Sequence, residues 1–62
     1  MNENYKENLK DLSKHLSRAS LEIIFCIKII GENEGFESDL YKNMCKINEN
    51  ILSLKEKVKN EY

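Results

Sequence analysis

His15, Cys26 and Cys45 are the side chains of this sequence best suited to nucleophilic, redox or metal chemistry. Metal capture on a helix needs a second ligand one turn away. Four residues beyond His15 stands Ala19, and neither cysteine has another cysteine or a histidine within a turn. His15 therefore reads as a residue at the boundary of an apolar face, and the cysteines as small apolar side chains. A bridge between Cys26 and Cys45 would join faces that do not match, so none is expected. No glycine-rich phosphate loop, no enclosed carboxylate pair and no Ser-His-Asp set is present. The sequence predicts a non-enzymatic chain with no metal and no cofactor.

Lys6, Lys10, Lys14 and Arg18 recur every four residues and form a basic ridge. Nucleic acid would be the natural ligand of such a ridge. Glu7 and Asp11 interrupt it, however, and the formal net charge is −1. A solvated helix face, or a polar rim that orients a protein partner, accounts for it better.

The elements that carry these residues follow from length and composition. Sixty-two residues make one domain at most, and a chain so short buries too little surface to be comfortably stable alone. Proline and threonine are absent, there is one valine, and the only glycines are Gly31 and Gly35. That composition suits long helices with one break and offers no strand signal. The amino end, MNENYKENLK, is polar from the start and has no signal-peptide character. The longest apolar run, Leu21 to Ile30, is about half of the roughly 20 residues that span a bilayer. A reduced, cytoplasmic protein without membrane insertion is the expectation.

Asn4 followed by Glu7 resembles a capping box that starts helix one near Tyr5. Tyr5, Leu9, Leu12, Leu16, Ala19, Ile23, Cys26 and Ile30 then alternate at spacings of four and three, a heptad seam. Opposite charges at Glu7–Lys10 and Asp11–Lys14 support its exposed side. Gly31 stands where a left-handed residue would end the helix. The polar segment GENEGFES makes the connection, with Ser38 as a cap for helix two. Leu40, Met44, Ile47, Ile51, Leu54 and Val58 form the second seam. The predicted fold is all-α: an antiparallel two-helix coiled-coil hairpin, which association could complete to a bundle. Helix one spans about 4–30, the turn about 31–37 and helix two about 38–60.

Helix one carries more apolar surface than one neighbour can cover, since only Glu22 and Lys28 are polar between Leu21 and Ile30. At 100° per residue Leu21, Phe25 and Ile29 form a stripe away from the seam, with Ile24 between. Each such side chain left in water forgoes about 1.5–3 kcal/mol. Helix two has a weaker flank of Tyr41, Cys45 and Leu52. Two occupants remain open for the stripe: a protein partner, or a second copy in a homodimeric four-helix bundle with a regulatory or nucleic-acid-related role.

The residues LSRASLEIIFCIKII, the turn GENEG and the heptad DLYKNMCKINENILSLKEKV together resemble the small E-type co-chaperones of type III secretion, the YscE and PscE family. The resemblance covers most of the chain and lies in length, order of features and heptad pattern. It implies a cytoplasmic hairpin that pairs with a tetratricopeptide-like G-type chaperone and keeps a needle subunit monomeric before export. Carried onto this sequence, it implies docking through Leu21, Ile24, Phe25 and Ile29, with Lys28 at the edge. A second resemblance is to the later half of the four-helix-bundle proteins found with ribosomal intervening sequences, which implies half a bundle completed by dimerisation.

Overall fold

In a computed structural model of the chain, which describes residues 3–61, two helices form an antiparallel hairpin. Helix α1 spans Glu3–Glu34 and helix α2 spans Asp39–Lys59. The expected all-α hairpin is the fold observed. Its Cα extents are 47 × 15 × 10 Å, a slab one helix thick.

Two boundaries differ from the sequence expectation, both of them on α1. Helix α1 is already formed at Glu3, so Asn4 lies inside it and does not cap it. The helix also runs past Ile30 and Gly31 to Glu34, which shortens the turn to residues 35–38. The left-handed terminator is Gly35, at φ 84°, and its N–H donates to the Gly31 carbonyl at 3.1 Å. Asn33 Nδ2 adds a 2.7 Å bond to the Ile29 carbonyl inside the last turn of α1.

Gly31 is glycine for a different reason. A Cβ there would lie 3.1 Å from Phe36 Cε1 and 3.2 Å from Tyr41 Cε2. Those two rings pack edge to face, centroids 5.2 Å apart, and close the turn over the α1 backbone. Helix α2 starts as the sequence predicts: Ser38 is its N-cap, accepting from the Tyr41 N–H at 3.1 Å, and Asp39 sits in the first turn. Lys57 and Lys59 occupy the last turn, where the helix dipole favours cations.

The rotation of the helices is the main correction to the predicted seams. Three parallel rows run along each helix. The shared row of α1, Leu9, Leu16, Ile23 and Ile30, faces inward and is buried or half-buried. Its counterpart on α2 is Met44, Ile51 and Val58, likewise covered. The second inward row is not the predicted one. On α1 it is Ser13, Ser20 and Ile27, and on α2 it is Tyr41, Asn48 and Lys55. Ser20 Oγ donates to Asn48 Oδ1 at 2.7 Å across the interface. Leu12, Leu40, Ile47 and Leu54, expected in the seam, are turned out and exposed, while Ala19 and Cys26 are half-buried beside them.

Small polar residues win the inner row because they let the helices approach closely while satisfying each other's hydrogen bonds. Lys55 is half-covered there, a position that the apolar stem of a lysine tolerates while its ammonium stays in water. The core that results is thin. Leu9 and Val58, each 7% exposed, are the only buried hydrophobic residues among those described.

Two glycine substitutions separate the roles of the turn. Gly35→Ala is expected to lower stability by about 1 kcal/mol, since alanine pays for a left-handed backbone. Gly31→Ala is expected to lower it by less, because the helical backbone favours alanine while the added Cβ forces both the Phe36 and the Tyr41 ring to shift by a few tenths of an ångström. Thermal melts followed by circular dichroism check the order, and an equal loss in both variants would contradict it. Ser20→Ala, which leaves Asn48 without its partner, is expected to cost about 1 kcal/mol in the same melts.

Candidate protein-interaction surface

Because the hairpin is one helix thick, each side chain outside the two inward rows meets solvent. The Ser20–Asn48 pair sets the register and assigns every residue to a broad side. On one side lie the outer rows, Leu12, Ala19 and Cys26 of α1 next to Leu40, Ile47 and Leu54 of α2. Stepping seven residues along each helix from the central Ala19–Ile47 layer gives Leu12–Leu54 toward the open end and Cys26–Leu40 toward the turn. Over these three layers the surface is apolar.

The opposite side is of mixed character. Near the turn it holds a shallow groove of about 260 Å³ lined by Ile27, Lys28, Gly31, Glu32, Phe36 and Tyr41. Near the open end a wider groove is bordered by Lys10, Lys14, Lys55 and Lys59, with Glu7 and Asp11 among them. Lys10 Nζ lies 3.8 Å from Glu7 Oε1, an exposed pair that contributes little to stability. Ile24, Cys45 and Leu52 occupy the middle.

The residues expected to dock a partner run around the outside of α1, Leu21, Phe25 and Ile29 about its outer edge and Ile24 on the grooved broad side. All four are exposed, Phe25 most at 65%, and Lys28 is exposed beside them. The hairpin leaves the stripe uncovered, as its position away from the seam required. The second exposed set, the outer rows, was hidden in the sequence because its leucines and isoleucines were assigned to the seam.

The chemistry-bearing residues stay apart. His15 is exposed, Cys26 and Cys45 are free thiols on opposite broad sides, and neither approaches a metal site. Among the described residues no group of three His, Cys, Asp or Glu side chains is placed to hold a metal ion. No described helix is long and apolar enough to cross a membrane. The searches of family models, curated proteins and solved structures return no match.

One ionisable group is shifted. Tyr41, half-buried with its ring against Gly31, has its pKa raised above the ordinary 10.0, by desolvation first and by the neighbouring Cys45 thiol second. A raised phenol pKa favours the neutral form in the folded state. Its contribution to stability is therefore present below the ordinary phenol value and is lost as pH rises through the folded one. Alkaline ultraviolet titration, with Tyr41→Phe as the difference control, should place Tyr41 above an unstructured tyrosine. Cys45→Ala should move it part of the way back, and an unchanged titration would contradict the contact.

Proposed function

We propose that this chain is a small non-enzymatic adaptor or chaperone that works by covering apolar helix surface on a protein partner. The observation that supports it is the imbalance between core and surface. Among the described residues eleven large hydrophobic side chains are exposed while two hydrophobic residues are buried, whereas single scattered apolar side chains would need no explanation. On the edge of α1 the exposed residues follow helical spacing, Leu21, Phe25 and Ile29 with Ile24, and a groove between partner helices takes such a ridge.

The resemblance to E-type co-chaperones gives this reading its specific form. The partner is then a tetratricopeptide-like chaperone, the cargo a needle subunit of type III secretion, and the compartment the cytoplasm. Mechanistically the hairpin supplies the missing apolar neighbour and so blocks premature assembly. Binding of this kind depends on buried apolar area and changes little with salt, in contrast to phosphate binding by a basic ridge.

The test is affinity capture from the native lysate with the immobilised chain, the captured protein being identified by mass spectrometry. The wild type should retain a helical-repeat protein in moderate salt, and Phe25→Asp should lose it, by at least about 2 kcal/mol in affinity if Phe25 is an anchor. Glu22→Gln, a neutralising change beside the stripe, should leave capture unchanged. Capture that survives Phe25→Asp would remove the stripe from the interface.

A further inference from the structure

We infer that the outer-row face is the contact between two copies of this chain, stacked head to tail into an antiparallel four-helix bundle. The face comprises Leu12, Ala19 and Cys26 beside Leu40, Ile47 and Leu54, flanked by the half-covered shared rows. It is distinct from the stripe around Phe25, so the inference does not rest on the protein-partner reading: Leu21, Ile24 and Phe25 stay open on the outside of the bundle, and Ile29 lies in the rim row of His15 and Glu22.

Size and surface character both favour a second copy. The 47 × 15 Å outline offers roughly 700 Å² from each copy, which brings the pair within the range of about 1,200–2,000 Å² for stable interfaces. Over its three layers the face carries no charged side chain, and the Phe36 and Tyr41 rings lie over Gly31 on the other broad side. The four lysines of the open-end groove are also on that other side, where a second slab would have to bury them with only Glu7 and Asp11 of the groove as counter-charges. Length matches as well: a slab of identical helices covers this one from end to end.

The charge distribution sets the orientation. The turn region carries Glu32, Glu34, Glu37 and Asp39 with no cation among residues 31–39, while at the open end Lys6, Lys10, Lys55, Lys57 and Lys59 stand among Glu7, Asp11, Glu56 and Glu61. Two copies with their turns at the same end would crowd the acidic turns within a Debye length of each other. Head-to-tail stacking separates the two turns and sets each against the other copy's open end, where the lysines are. The two-fold axis then crosses the Ala19–Ile47 layer and lays α1 on α1 and α2 on α2, antiparallel. Leu12 meets Cys26 of the second copy, Leu54 meets Leu40, and Ala19 and Ile47 meet their own counterparts. At the rim His15 comes level with Glu22 of the second copy and Asn43 with Asn50, each twice by symmetry.

Three readings on the purified chain test this. Light scattering should return twice the 7.3 kDa chain mass. In the same native sample Cys26, covered by the second copy, should react with a thiol reagent at least about tenfold more slowly than Cys45. Ala19→Cys, on the two-fold axis, should oxidise to a covalent dimer on a non-reducing gel, since no other cysteine of its own chain lies within reach. A monomer, folded or unfolded, would overturn the inference. So would a dimer in which Cys45 is the protected thiol, or one of double mass in which Ala19→Cys fails to cross-link. The first two readings use the native chain, so a failure of the variant to fold does not rescue the inference.

Discussion

The hydrogen bond from Ser20 to Asn48 holds the rotation of both helices. With that pair at the centre, Ser13 and Lys55 come together toward the open end, and Ile27 and Tyr41 toward the turn. The shared rows around Leu16 and Ile51 then lie along one border of the interface, half-covered. A rotation of each helix by a fraction of a turn would put Leu12, Ile47 and Leu54 inside and leave Ser20 and Asn48 in water. The tight turn opposes that rotation, because Phe36 and Tyr41 are packed on Gly31 and Ser38 caps α2 at a fixed angle. A polar pair at an inward heptad position is the device that specifies register and pairing in coiled coils, at some cost in stability.

That cost is the origin of the interaction surface. An interface lined by serine, asparagine and a lysine stem removes little apolar area from water, and hydrophobic burial is the dominant favourable term in folding. A domain of this size draws at most about 3–5 kcal/mol from a full core, before any residue is diverted outward. Here the leucines and isoleucines that would fill such a core are on the surface, in two sets that face different directions. On the proposed reading the hairpin is a subunit: the inward rows hold it together and the outward sets associate, so association adds to the stability of the fold.

The two helices were legible from heptad spacing, and so was the cap at Ser38, because a side-chain oxygen just ahead of an acidic residue and an apolar run has one common use. The stripe through Leu21, Phe25 and Ile29 was legible for a related reason, since it lies far around the helix from any seam. The choice of inner row was not. Leu9, Leu16, Ile23 and Ile30 can be joined by the row containing Leu12 and Cys26 or by the row containing Ser13 and Ser20, and hydrophobicity favours the first. The second prevails through a contact 28 residues apart and through ring packing at the turn, neither of which leaves a periodic signal. Gly31 and Gly35 were indistinguishable for the same reason: one serves close packing and the other a left-handed backbone, and only the neighbours tell them apart.

A hairpin that is incomplete alone unfolds as an associating fold does, with a concentration-dependent midpoint, and thermal unfolding by circular dichroism across a roughly hundredfold range of concentration reads this directly. The midpoint should climb steadily with concentration, with helix content falling at the dilute end. A fully helical chain whose midpoint stays constant over that range would show instead that two helices with a serine-lined interface suffice.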